Sequence, residues 1–305
     1  MGILDIFTQR ATPFGRRPPA AVEIAPEGVL AAALSSPGEA PAVSFVALPP
    51  GTLIPGIAET NLLAPEAVAA ALRSALDQVS PRSRSVTLVI PDTAARVFVL
   101  DFDSLPARLT EALPVLRFRL RKVAPFDVDQ SAVSYQVLSQ EKHSVKVLAT
   151  VMPLTNLHEY ESAVRAAGYE PGVVLPSALA VLAAANVVEP ILAVNLTGVS
   201  LTTAIAAGND LLLYRTLDLP TEPNSRLVEI QRGIAVAAAY YEDRLGVRPA
   251  QLHFAGSVDA EDLARTLTET HLPMVELAPA SIVGAMTARG PVGFAGVTGA
   301  LAGAA

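Results

Sequence analysis

Apolar residues in this chain fall into short runs broken by Gly, Pro, Asn and Asp, and between them lie longer stretches with a three- or four-residue period. The clearest group of short runs is ILAVNLTGVSLTTAIAAGNDLLLYRTLDL, residues 191–219. It predicts strands over 191–195, 200–206 and 211–215, joined by turns at Thr197-Gly198 and Gly208-Asn209-Asp210. Gly, Asn and Asp supply the positive φ that tight hairpins require. Such a segment is an ordinary β-meander, or a hairpin whose backbone N–H groups point at a phosphate.

The same pattern predicts strands over 22–24, 29–34 and 42–47. Pro65 then opens a helix with Val68, Leu72, Ala75, Leu76 and Val79 on one face. A buried strand over 85–90 and an alternating one over 96–102 follow. Ser104 is the expected cap of a helix carrying Leu105, Leu109, Leu113, Leu116 and Leu120, which Pro114 should kink or restart. Strands over 132–138 and 145–152 precede a helix capped by Thr155 or Asn156, with Leu157, Tyr160 and Val164 on its inner face and Gly168 at its end. A strand at 173–175 and a helix over 177–188 lead back to the meander. Beyond it, Ser225 is the expected cap of a long helix through Leu227, Ile230, Ile234, Ala238, Tyr241 and Leu245, stopped by Gly246. A strand over 251–254 ends in Ala255-Gly256-Ser257, Asp259 starts a helix with Leu263 and Leu267, and 274–277 is the last strand. The Gly/Ala-rich tail 290–305 suits a small-residue helix packed close to a sheet. Strands interleaved with helices define an α/β chain with mixed sheets.

Composition narrows the chemistry. Hydrophobic residues make up 51% and aromatics 5%, without Trp, so Ala, Val and Leu must build the core. A net charge of −7 argues against a general nucleic-acid binder. The absence of Cys excludes disulfides, thiolate metal sites and a Cys nucleophile, and the four His are scattered, which disfavours a zinc enzyme. Mean hydropathy is high at +0.42. Yet LPSALAVLAAANVV at 175–188 falls short of the ~20 apolar residues a membrane span needs, so no transmembrane segment is expected. MGILDIFTQR lacks the features of a signal peptide, so a cytoplasmic protein is expected. Its apolar Ile3, Leu4, Ile6 and Phe7 with Arg10, Arg16 and Arg17 read as an arm over its own domain or a weak membrane-surface contact. Arg117 and Arg121, at i and i+4 in VLRFRLRKVAPF, form a solvated face or a docking surface for an acidic partner. Asp101, Asp103, Asp127 and Asp129 are acids that an unrelated α/β enzyme could use, but no nucleophile–His–acid arrangement can be drawn from the residues.

Two hairpins each opening one half, a small unit between them and a late strand–small-residue turn–helix make the plan of the actin-like (ribonuclease H-like) fold. More specifically, the chain resembles the type IV pilus assembly PilM family. The resemblance rests on VTLVIPDTAARVFVLDFDSLP, on KVAPFDVDQSAVSYQVL with Pro125-Phe126, Asp127, Asp129 and Tyr135-Gln136-Val137-Leu138, and on HEYESAVRAAGYEPGVVLPSALAVLAA. It implies a first actin-like subdomain from 1–97 and 170–190, an inserted small α+β subdomain at 98–169, and a second half at 191–305 with a truncated lid subdomain, since Pro220–Asn224 leads straight into the helix. It also implies a protein peripheral to the cytoplasmic face of the inner membrane, working with other pilus assembly proteins. The cytoplasmic tail of a PilN-like membrane protein would bind between the first and inserted subdomains, near Pro91, Asp92, Thr93 and Arg96 and the facing strands, with Arg117 and Arg121 as further partner-binding residues.

The resemblance also raises Mg-ATP, which actin-like ATPases hold with an Asp on each hairpin and a Gly-Gly turn beneath the adenosine. Mg²⁺ requires carboxylate oxygens around its water shell, and Gly lets backbone amides approach phosphate. In the first hairpin the matching positions read Val22-Glu23-Ile24-Ala25-Pro26-Glu27-Gly28, with Ala25 expected where the Asp belongs and Glu23 expected on the opposite strand face. In the second, Asn195 replaces the Asp and Thr197 the first Gly, while Gly198, Thr202, Thr203 and Arg215 remain. Ala255 replaces the first Gly of the adenosine turn, and Gly256 and Ser257 follow it. The expectation is a degenerate nucleotide site at Thr197, Gly198, Ala255, Gly256 and Ser257, no cofactor or metal, and a non-catalytic scaffold. An active Mg-ATP-binding, cycling or polymerising protein is the alternative.

Overall fold

The computed structural model describes residues 17–34, 41–185, 188–208, 210–256, 263–265, 267, 272–277 and 295–302. The N-terminal arm, Asn209, Ser257, Asp259 and residues 290–294 of the tail lie outside the described residues.

Two five-stranded sheets share one topology. In the first, β1 (Ala20–Ala25), β2 (Gly28–Ala33) and β3 (Ala42–Ala47) form an antiparallel meander, and β4 (Ser85–Ile90) and β8 (Glu170–Pro176) add in parallel on the β1 side, in the order β3-β2-β1-β4-β8. In the second, β9 (Ile191–Leu196), β10 (Ser200–Ala207) and β11 (Asp210–Asp218) form the meander. There β12 (Leu252–Gly256) and β13 (Met274–Glu276) add in parallel, in the order β11-β10-β9-β12-β13. Between the two sheets in sequence lies a third of three strands, β5 (Arg96–Phe102), β7 (Ser144–Pro153) and β6 (Ser131–Glu141), with β7 central and antiparallel to both neighbours.

The helices cover these sheets through the residues their periodicity marks. α1 (Pro65–Val79) buries Val68, Leu72, Ala75, Leu76 and Val79 against Val22, Ile24, Leu88 and Ile90. α2 (Leu109–Leu120) buries Ala112, Leu116 and Leu120, the two leucines against Leu100, Val145 and Val147 of the small sheet. It begins five residues after Ser104 and runs unbroken through Pro114, an interior position where the helix forgoes one backbone hydrogen bond while Leu116 and Leu120 stay anchored in the core. α3 (Leu154–Ala166) starts after Pro153, and its Tyr160, Ala163 and Val164 join the core of the first sheet. Asn156, an expected cap, is instead buried, and its amide donates to the carbonyls of Gly56 and Glu59 at 2.8 and 3.2 Å. α4 (Ser177–Ala184) is shorter than its apolar run. α5 (Pro223–Leu245) packs Ile230, Ile234, Ala237 and Tyr241 on the second sheet. Its cap is the Glu222 carboxylate, which accepts from the amides of Asn224 and Ser225 at 3.0 and 2.6 Å, rather than Ser225.

α6 (Ala295–Ala302) is the small-residue helix expected of the tail, and it returns to the first sheet. Val297, Ala300 and Leu301 lie with Ala21, Val89 and Ala180 on the sheet face opposite α1. Gly299 lets α6 meet α4, because a Cβ there would stand 1.6 Å from the Ala180 carbonyl oxygen. Gly299→Ala should therefore destabilise the fold by about 1–3 kcal/mol through overpacking. Gly56→Ala, where a Cβ meets nothing within 4 Å, serves as the control. Urea unfolding of both variants measures this, and equal midpoints would contradict the packing described.

Candidate functional site

Where the two five-stranded sheets face each other, the chain buries a cluster of polar side chains around two acids. After β4, Pro91 leads into a single helical turn, Asp92–Ala94, which directs the Asp92 carboxylate inward at 3% exposure. Its Oδ1 accepts from the Ala178 amide at 2.9 Å and the Tyr214 hydroxyl at 3.2 Å. Its Oδ2 accepts from Asn195 Nδ2 at 3.1 Å and the Thr202 hydroxyl at 2.9 Å. Asn195 Nδ2 also reaches Ser177 Oγ at 3.3 Å, and the Ser177 hydroxyl donates to Glu23 Oε1 at 2.6 Å. Glu23 Oε2 accepts from the Val297 amide at 3.2 Å. One hydrogen-bonded chain thus joins β1, α4 and α6 to β9, β10 and β11.

Neither acid is paired with a cation in this network. Each instead lies at the N-terminus of a short helix, Asp92 at α4 and Glu23 at α6, where first-turn amides and the helix dipole favour negative charge. Burial nevertheless dominates. It pushes the Glu23 carboxyl up to about 7, against the lowering effect of Ser177 and the Val297 and Gly296 amides, with the nearby Asp92 charge adding to the rise. Burial raises Asp92 as well, opposed by its four donors. Tyr214 is driven well above the ordinary tyrosine value by burial and by Asp92.

The tips of the two hairpins meet at the edge of this cluster. Glu27 Oε1 lies so close to Gly198 that a Cβ there would stand 2.3 Å from it. Arg226, in the first turn of α5, donates to the carbonyls of Gly198 and Thr197 at 2.8 and 2.7 Å. Thr197 satisfies its own turn: its Oγ1 accepts from the amides of Val199 and Ser200, and its amide bonds the Ser200 carbonyl. Ala255 and Gly256 are buried at the end of β12, in register with Asn195 and Leu196 of β9. At φ 131°, with a Cβ position 1.8 Å from the Leu196 carbonyl oxygen, Gly256 is required by that close approach. Thr197, Gly198, Ala255 and Gly256 therefore share one region, and Ser257 lies outside the described residues.

The residues expected at the partner groove are placed differently. Pro91, Asp92 and Thr93 are buried, Asp92 in the cluster and Thr93 donating to the Pro55 carbonyl at 3.3 Å. Arg96 donates to the carbonyls of Thr93 and Ala95 at 3.0 Å and pairs with Asp218 of β11 at 3.3 Å. Arg117 donates to the carbonyls of Val128 and Ser131, tying α2 to the loop before β6, and exposed Arg121 pairs with Asp129 at 2.7 Å. They do not line one surface. Glu23 is also placed differently from the expectation. As i and i+2 on β1, Glu23 and Ala25 share a strand face, and that face turns toward α6 and the cluster. A lone acid inside the apolar AAVEIA strand was the available signal.

A groove of about 690 Å³ opens between α1 and α3, both of which pack in the core of the first sheet. Leu62, Ala69 and Ala163 give it an apolar floor, and Glu66, Arg73 and His158 are among its polar lining. Arg73 donates to the carbonyls of Ala166 and Ala167, latching α1 to the last turn of α3. Glu159 accepts from the amides of Asn61 and Leu62 at 2.8 and 3.1 Å, and Tyr160 donates to Asn61 Oδ1 at 3.0 Å. Sequence reasoning missed this groove, because its walls are 90 residues apart in the chain and its residues are mostly small.

The duplicated sheets joined across the buried polar cluster, with a small unit between them in sequence, define an actin-like fold. Over 95% of its length the chain is similar to all of a chain in a structure entitled "PilM-PilN type IV pilus biogenesis complex", with a TM-score of 0.76 and 19% identity. It is also similar to a Bacteroides thetaiotaomicron protein described as having an actin-like ATPase fold and unknown function, with a TM-score of 0.50, 12% identity, and coverage of 84% of this chain and 89% of that one. No protein-family model and no curated protein matches the sequence.

The buried acids carry a pH signature. Folding raises the Glu23 pKa from 4.5 to about 7, so the folded state binds a proton that the unfolded chain releases first. That contribution to stability is complete below the unfolded value and is lost as pH rises through about 7, and Asp92 shifts in the same direction. Unfolding free energy should fall from about pH 5 to about pH 8 by up to about 1.4 kcal/mol per unit per proton. Glu23→Gln should remove its share of that slope. Urea unfolding at a series of pH values tests this, and an unchanged slope in the variant would contradict it.

Proposed function

We propose that this chain is a non-catalytic scaffold of the PilM type, which holds the cytoplasmic tail of a PilN-like inner-membrane partner in a type IV pilus or related secretion machine, peripheral to the inner membrane. The observation that carries the reading is the α1–α3 groove, an open, mainly apolar channel between the first sheet's helix and the helix that follows the inserted sheet. It is the size of a binding cleft and has the form that an extended peptide requires, with an apolar floor and polar walls. The likeness in fold to a chain from a PilM–PilN complex supports the same reading.

The donor set at the cleft supports a scaffold rather than a nucleotide-cycling protein. Mg-nucleotide needs free carboxylate oxygens and unoccupied backbone amides. Here the Asn195 amide donates to Asp92 and Ser177, where a carboxylate would accept from metal-bound water. The Asp92 oxygens accept from four internal donors, and the Val199 and Ser200 amides already have an acceptor. The Glu27 side chain lies between the hairpin tips, where the resemblance would place phosphate. These residues do not fit the group, and no phosphoryl step is derived from them. The alternative, an active actin-like ATPase, draws on one observation: Glu23 brings an acid from the first hairpin to the cleft.

Ala70 lines the groove from the exposed side of α1, so Ala70→Trp should fill it without disturbing the core. Isothermal titration with synthetic N-terminal tails of PilN-type membrane proteins should show binding to the wild type and at least roughly tenfold weaker binding to the variant, with unchanged Tm. Equal affinity in both, or no binding of any such tail, would overturn the proposal.

A further inference from the structure

The inserted unit presents a second surface that neither the groove nor the cleft uses. α2 turns Ala112, Leu116 and Leu120 into the small sheet's core and directs the opposite face outward. At the outermost line of that face stands Phe118, 60% exposed, flanked by Val115 at 37% and, just past the helix, Val123 at 45%. A large aromatic left in water is unusual in a chain whose aromatics amount to 5%. Lys122 lies over the Phe118 ring at 4.6 Å, and exposed Arg119 and Arg121 flank the same line. Five cations and one acid fall between Arg108 and Lys122, with Asp127 and Asp129 facing Arg121 beyond them, in a chain whose net charge is −7. Arg117 is occupied by internal carbonyls and Arg121 by Asp129, so Arg119 and Lys122 carry the outward positive charge nearest the ring.

We propose that this face of α2 docks on an anionic lipid bilayer. The exposed ring and cations stand on the outward face of a single helix, and a bilayer requires no complementary cavity to receive them. An apolar wedge at the crest with long cationic side chains beside it supplies both signals that surface attachment needs: the ring enters the acyl boundary and the ammonium and guanidinium groups remain among the headgroups. In a protein of net negative charge, this local reversal also sets which side approaches the membrane. The inference is independent of tail capture, which uses α1 and α3.

Co-sedimentation of the full chain with vesicles of phosphatidylglycerol and phosphatidylethanolamine, against vesicles of phosphatidylcholine alone, tests it. Binding should be confined to the anionic vesicles and weaken with salt. Phe118→Ser and the pair Arg119→Glu with Lys122→Glu should each lower partitioning roughly tenfold, the first through lost apolar burial and the second through reversed charge. All three positions are exposed, so the variants should keep the wild-type circular dichroism and Tm. A Leu4→Ser/Phe7→Ser variant distinguishes the N-terminal arm as the source of binding. No sedimentation with anionic vesicles, or binding that the arm variant abolishes and the α2 variants leave intact, would overturn the proposal.

Discussion

The Asp92 carboxylate is the joint on which the arrangement of the two halves depends. It accepts four hydrogen bonds, from β9, β10, β11 and the first turn of α4, and it stands at the end of β4 of the other sheet. A buried charge without a cation is costly unless its lone pairs are filled by well-placed donors. Here the donors come from both sides of the cleft, so the charge is tolerated only when the halves are together. Through Asn195 and Ser177 the same network reaches Glu23 and thereby α6, which brings the C-terminal helix back against the first sheet.

The inserted unit is tied to the second half by a similar logic with weaker parts. Val97, Val99 and Leu148 of the small sheet pack among Ala204, Ala206, Leu211 and Tyr214. The ion pairs Arg96–Asp218 at 3.3 Å and Lys146–Asp210 at 2.5 Å hold β5 and β7 to the two ends of β11. On its other side, α3 belongs to the core of the first sheet and forms one wall of the groove. A peptide in that groove would therefore bear on an element packed against both the first sheet and the small sheet. The buried polar cluster is the structural joint between the two halves.

Much of the architecture was legible because it follows from local periodicity. The meander at 191–219, the inner face of α1 and the glycine stop of α5 at Gly246, with φ 70°, follow directly from alternation, helical spacing and the αL conformation that glycine accepts. What local rules missed depended on partners distant in sequence. Ser104 and Ser225 are good caps by type, but α2 begins later and α5 is capped by Glu222, because packing sets where each helix starts. Asp92 read as a loop acid at a groove, since nothing near it reveals that Asn195, Thr202 and Tyr214 converge on it from more than 100 residues away. Glu23 was assigned to the wrong strand face, an error of register that reversed its relation to the cleft. Its position in an otherwise apolar strand was the clue, since an acid there needs a buried partner, and Ser177 supplies it.

In the proposed scaffold Asp92, Asn195, Ser177 and Glu23 are committed to one another, so none of these four is left for Mg-nucleotide. Calorimetric titration of the protein with ATP, with and without Mg²⁺, tests it most directly. The account predicts no binding heat at millimolar ATP under either condition. Clear Mg²⁺-dependent binding would contradict it, because the Asp92–Asn195–Ser177–Glu23 network would then have to open to admit the ligand.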